Sequence, residues 1–208
     1  MRHSAEAHPQ LTIWLAVRHV RLLLGVVVGL ALAAIVTGNF AVPVPISLEP
    51  VAVPVALMLP LALSTAAAYS LGAGDELLEA VSARPLGVMD SCLIGGLTAV
   101  AIALLLAIDQ IGVNPLGTAA ARNTAGFIGL MYFGRLIVGG FAASLTPVAY
   151  MMVAIAFGTT AAGQVRWWAW PLAPGNDSES WLIALAFLMG GITVGALVRA
   201  RIGSAWPA

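Results

Sequence analysis

The chain has 208 residues, of which 61% are hydrophobic and 9% charged. Soluble domains carry about 25% charged residues, so a soluble globular domain and a disordered chain are both excluded, and lipid is the expected solvent for most of the surface. Nine basic residues balance nine acidic ones, which leaves no electrostatic footprint for nucleic acid.

Every basic residue is arginine; the chain has no lysine. It therefore has no phosphate-binding Walker A loop and no Schiff-base lysine, and any dependence on ATP must be met by another chain. Cys92 is the single cysteine, so no intrachain disulfide and no cysteine-based zinc cluster can form. His3, His8 and His19 lie near the N-terminus without a fourth partner, and no metal site is expected. No Ser/His/Asp constellation, HExxH motif or pair of intramembrane aspartates is present, so no catalytic site is expected either.

In chain order, the first element is a mixed apolar and basic stretch at residues 10–21. Leu11, Trp14, Leu15 and Val17 set against Arg18 and Arg21 predict a helix on the inner membrane surface, with the arginines facing anionic lipid. The apolar run that follows is read as a retained first span, because no small-x-small cleavage site closes it. About 17 to 25 apolar residues cross a bilayer as a helix, and six runs qualify: residues 22–38, 51–71, 91–108, 124–142, 145–162 and 181–198. They are continuous, not alternating, which favours helices over membrane strands. The expected architecture is an all-α integral membrane protein forming one transmembrane domain over residues 1–208. Arg2, Arg18, Arg21, Arg84, Arg199 and Arg201 then fall inside and Arg122 and Arg166 outside, which places both termini in the cytoplasm.

Between the second and third runs the chain reads GAGDELLEAVSARPLGVMD. Asp75 and Glu76 suit an N-cap and first turn. Leu77, Leu78 and Val81 make a short apolar stripe at helical spacing, flanked by Glu79. Pro85 disfavours helical geometry at Arg84 and ends the element. The expectation is a charged amphipathic helix over residues 75–84 on the cytoplasmic side; the plainer alternative is a solvated connecting loop.

This pattern resembles the ABC-2-type permeases, the membrane subunits of type V ABC exporters. The resemblance rests on six spans after an interfacial helix, the acidic and Leu-rich segment Asp75, Glu76, Leu77, Leu78, Glu79 with Pro85 and Asp90 beyond it, a turn between spans four and five, and an irregular segment before span six. It implies that Asp75, Glu76, Leu77, Leu78, Glu79, Val81 and Arg84 form a coupling helix docked on a separate nucleotide-binding ATPase subunit. It further implies ATP and Mg held by that partner, a second copy of the chain or a related permease, and an amphipathic peptide, lipid or drug-like substrate.

Other features have two readings each. Arg135 falls near the middle of the fourth run, as a pathway residue or an ion pair with Asp109, or else near a surface if the span is shifted. Asp109 with Gln110 also suits a plain helix end. Pro54 and Pro60 inside the second run would soften it. Gly25 with Gly29, and Gly191 with Gly195, permit close helix packing. Arg166, Trp167, Trp168 and Trp170 before Pro171 and Pro174 suit an outer aromatic belt, or an irregular segment dipping back as an outer gate. The rival to an exporter subunit is a membrane protein independent of ATP, a small secondary transporter or an accessory subunit. A secondary transporter should show two related halves, and none is evident.

Overall fold

The computed structural model describes residues 7–44, 51–73, 86–160 and 162–204. The segment 75–84, with Asp75, Glu76, Leu77, Leu78, Glu79, Val81 and Arg84, lies outside the described residues.

Helix α1 (Ala7–Val17) is followed by α2 (Val20–Thr37). The break is made at His19, whose left-handed backbone (φ 48°, ψ 42°) no helix interior tolerates. The expected surface helix over 10–21 therefore ends earlier, and its two arginines part. Arg21 is exposed on α2, whereas Arg18 is turned inward and 1% exposed. Arg18 does not face lipid headgroups, which corrects that expectation.

After α2 the chain forms a two-stranded antiparallel hairpin, β1 (Ala41–Val44) and β2 (Val51–Pro54), in register Ala41↔Pro54 and Val44↔Val51. Valine alternation favours the strands, and each proline holds its predecessor extended. Among the described residues the architecture is thus helical with one hairpin, and the second apolar run starts as a strand. Helix begins only at Val55, as the single turn α3 (Val55–Met58) leading into α4 (Pro60–Gly72). Pro54 precedes the helix and Pro60 opens α4, where a missing N–H costs nothing; neither kinks a continuous span.

Helix α5 (Leu86–Gln110) starts five residues before the expected third span, so Asp90 belongs to its first turns. Helix α6 (Gly117–Ile137) lies seven residues upstream of the expected start of the fourth. Arg122 accordingly sits inside this helix, not in an outer loop, and Arg135 sits in its last turn, not its middle. Gly139 (φ 67°) and Gly140 (φ 42°) end the run. A 3-10 turn (Phe141–Ser144) leads into α7 (Leu145–Phe157). With 13 residues, α7 reaches only about 20 Å of a hydrocarbon core about 30 Å thick. Helix α8 (Ser178–Ser204) closes the described chain.

Among the described residues four segments are long and apolar enough to cross a membrane: Val20–Thr37, Val55–Gly72, Leu86–Gln110 and Ser178–Leu197. The first and last bury only 22% and 17% of their residues against protein, so most of their apolar surface is left for lipid, the pattern of a helical membrane protein. Helix α6 is the opposite case. From Gly117 to Gly134 all but Thr118 and Phe133 are buried, and it carries Arg122, Asn123 and Thr124. It forms the polar axis around which α3, α4, α5, α7 and α8 pack.

The closest packing is between α6 and α8. A Cβ added at Gly129 would collide with the backbone of Phe187, and one at Gly191 would lie 2.7 Å from the Gly129 carbonyl. Gly195 similarly receives the ring of Tyr132. The Gly191 and Gly195 pair is therefore used within the chain. The Gly25 and Gly29 pair on α2 meets nothing within 4 Å.

Candidate functional site: two buried arginine clasps

The antiparallel run of helices gives the molecule two ends. At one, α1, the start of α2, the end of α4 and the start of α5 converge. At the other lie the hairpin, the α5–α6 turn and the segment 158–177. A buried arginine organises each end.

At the first end Arg18 faces Asp90. Its Nε and Nη2 donate to Oδ1 and Oδ2 at 2.8 Å each, a two-pronged match of guanidinium to carboxylate. Both side chains are almost wholly buried, at 1% and 3% exposure. Nη1 donates to the Leu71 carbonyl at 3.4 Å, and the Ser70 hydroxyl donates to the Arg18 carbonyl. Leu71 lies in the last turn of α4 and Asp90 in the second turn of α5, so Arg18 ties the end of α1 to α4 and α5 on either side of the segment 74–85. Beside it, His19 stacks on Tyr69 with centroids 5.2 Å apart, and Tyr69 meets the edge of Phe141 at 6.4 Å. With Gly72 and Ala73 these rings line a shallow groove of about 520 Å³.

At the second end Arg122 is 0% exposed. Its Nη1 donates to the Pro174 carbonyl at 2.8 Å, and Nη2 to those of Ala173 at 2.9 Å and Pro171 at 3.3 Å. Nε and Nη2 also donate to Asn123 Oδ1 at 3.3 and 3.2 Å. The Asn123 amide donates in turn to the carbonyls of Pro171 at 3.0 Å and Leu57 at 3.1 Å. Two adjacent α6 side chains thereby hold the segment 171–174 and the α3–α4 joint together. Proline supplies carbonyls and no N–H, which suits a strap that must only accept.

The strap carries Trp170, also 0% exposed. Its ring lies 5.6 Å from Phe127, stacks on Tyr150 at 5.8 Å and tilts against Phe187 at 6.3 Å. Gly126 makes the space, since a Cβ there would overlap the indole. The hydroxyl of Tyr150 donates to the Trp168 carbonyl. The expected aromatic belt is therefore divided: Arg166 and Trp167 are exposed and Trp168 half-buried, while Trp170 is a plug. Asp177 accepts from the Ser180 N–H and hydroxyl and caps α8. Those bonds, the hydroxyl first, hold its carboxyl below the usual range.

Asp109 accepts from Thr118 N–H at 3.0 Å and from its hydroxyl, and so fixes the start of α6. Arg135 lies nearly five turns further along the same helix, about 25 Å away. The two do not form an ion pair, and Asp109 is a helix-boundary residue. Among the described residues no three His, Cys, Asp or Glu side chains gather to hold a metal.

Sequence reasoning missed Arg18, Asp90, Arg122 and Asn123 as a set. A signal existed for one pair: Arg122 and Asn123 stand between Ala119–Ala121 and Thr124–Gly126, small residues that suit a close helix crossing. No family model matches the chain, nor does any curated protein or solved structure.

Proposed function

We propose that the chain is the permease subunit of an ATP-driven exporter of the plasma membrane. It crosses the membrane an even number of times with both termini cytoplasmic and pairs with a second permease and two ATPase subunits that bind ATP and Mg. Its substrate is an amphipathic peptide, lipid or drug-like compound. The observation that carries this reading is the Arg18 clasp. A transporter driven from outside the membrane needs its input segment fixed to more than one helix, so that a push biases the spans and not merely a loop. Arg18 joins the surface helix, α4 and α5 where the segment 74–85 leaves them. The sequence of that segment supplies a short apolar stripe with charged edges, suited to a groove on a partner.

Leu78→Asp tests the reading. Burying an unpaired carboxylate in an apolar groove costs several kcal/mol, enough to weaken capture of the ATPase by about a hundredfold. Insertion and folding should be unchanged, because residue 78 lies between apolar runs. Arg84→Ala should be milder, since a rim charge contributes about 1 kcal/mol or less. The measurements are a pull-down with a nucleotide-binding ATPase subunit and ATP turnover in nanodiscs. Parental binding and turnover by Leu78→Asp, or no nucleotide-binding partner at all, would replace the exporter with an accessory membrane subunit.

A further inference from the structure

Arg122 is a buried cation with no anion in contact among the described residues. No carboxylate lies within ion-pair distance of it among the described residues; Asp177 acts on it only at longer range. Its donors end on three main-chain carbonyls and one amide oxygen. A guanidinium removed from water is normally matched to a carboxylate or phosphate, which accepts two parallel bonds and neutralises the charge. Arg18, in the same chain, has that match.

The strap that covers Arg122 has the chemical layout of an amphiphile. Its carbonyls from Ala173 and Pro174 place two oxygens on the guanidinium, as one anionic group would. Next to them the Trp170 indole fills an apolar slot between Phe127, Tyr150 and Phe187 over Gly126. The strap is irregular backbone, with a single 3-10 turn at Trp170–Leu172. It leaves a turn at Gly163 (φ 75°) and rejoins α8 after Gly175. No strand pairing anchors residues 166–177; the isolated bridge Thr159↔Val165 stops short of them.

We propose that Arg122 and Asn123, with the aromatic slot beneath Trp170, form a binding site for the anionic head and apolar body of an amphiphile carrying a phosphate or carboxylate, and that the strap 166–174 occupies this site as an internal stand-in until a ligand displaces it. The exchange is favourable in kind. The ligand gives the guanidinium a full charge in place of neutral dipoles, and the freed carbonyls reach water or headgroups at the membrane edge. Asn123 then passes the change inward, because the amide that holds Pro171 also holds the Leu57 carbonyl at the α3–α4 joint. The site deepens the transport reading by naming a substrate class, yet anion binding does not depend on an ATPase.

The test follows strap displacement in the full chain, purified in a neutral detergent. Ala173→Cys is made in a Cys92→Ser background, and its maleimide labelling rate is measured. Ala173 is 6% exposed, so basal labelling should be slow. Dodecyl phosphate should raise the rate saturably, by about tenfold, as a ligand that selects the strap-open state must. Inorganic phosphate at the same concentration distinguishes an amphiphile site, where it has no effect, from a free-anion site, where it acts alike. Arg122→Gln should abolish the response. Trp170→Ala, which leaves Arg122 intact, should label quickly without ligand and bind dodecyl phosphate more tightly. Unchanged labelling of the Ala173→Cys protein with both phosphates, or an equal rise with added dodecyl maltoside, would overturn the proposal without bearing on the ATPase partner. Loss of the partner with the response intact would remove the exporter and leave the site.

Discussion

The two arginine clasps do the same mechanical work with opposite electrostatics. Arg18 and Asp90 cancel each other's charge with two bonds at 2.8 Å and link three helices. Arg122 holds its strap through neutral carbonyls and remains a net cation in a buried site. A paired charge is a permanent joint, because separating it leaves two buried ions that must each be resolvated. A cation on carbonyls is a replaceable contact, since any anion of suitable shape is a better partner. If the chain is driven by an ATPase and binds an amphiphile as proposed, the first end is the one built to transmit force and the second the one built to open.

Breaking the rigid clasp should give the largest effect. Asp90→Ala removes the carboxylate that accepts two bonds from the buried Arg18 guanidinium, and breaking such a pair costs about 3–5 kcal/mol. Loss of monodisperse protein in size-exclusion chromatography, or a lowered melting temperature in detergent, measures it. Removing both charges tests whether the pair is there for stability. Arg18→Met with Asp90→Leu should recover most of the lost stability, since apolar replacement of a buried pair is often neutral. On the exporter reading it should not recover coupling, because Leu71 and α1 are then untied. Full stimulated ATP turnover in the double variant would show that the clasp is merely structural.

The replaceable clasp is probed by crowding its plug. Gly126→Ala places a Cβ where the Trp170 ring lies. Overpacking costs about 1–3 kcal/mol, and expelling the strap relieves it at the expense of the carbonyl contacts. The expected outcome is a red-shifted tryptophan emission and faster proteolysis within 158–177, with helical content and the Arg18 end unchanged. A blue-shifted, protease-resistant strap in this variant would mean that it is as fixed as the other end.

Much of the helical order is legible in the sequence, because continuous apolar runs leave few alternatives in lipid. Four of the six expected runs coincide with helices long and apolar enough to span. The errors cluster where a polar residue is buried. Placing Arg122 in an outer loop and starting the fourth helix at residue 124 is what a hydropathy rule does with a charge. The rule has no means of seeing that carbonyls 49 to 52 residues away in sequence satisfy the guanidinium. The same rule assigns Arg18 to headgroups because its partner, Asp90, stands 72 residues later. The hairpin is hidden for a different reason: Val51–Pro54 reads as part of one apolar run, and period-2 patterning over four residues cannot be told from a helix start. The division of the Trp cluster also depends on tertiary contact, since only the gap at Gly126 decides which indole is buried.

The smallest expected effect concerns Asp177, which stands between the strap and α8. Its carboxylate accepts from the Ser180 N–H and hydroxyl, so it caps a helix and adds a weak negative field near Arg122. Asp177→Ala should cost about 1 kcal/mol, the usual loss for an N-cap oxygen, and Asp177→Asn only a few tenths, because the amide oxygen still caps. The acid dependence separates the two roles. The folded carboxyl titrates below its ordinary range, so its contribution is complete above the unfolded value near 4 and is lost as the pH falls through the lower folded value. Melting temperatures of parent and Asp177→Asn measured from about pH 7 to about pH 3 should therefore converge on the acid side. The Asn variant should also bind dodecyl phosphate slightly more tightly at neutral pH, because the anion no longer meets a like charge at the mouth of the strap. Weaker binding by Asp177→Asn would show that the carboxylate positions Arg122 and does not compete with the ligand, which would bring the second clasp closer in kind to the first.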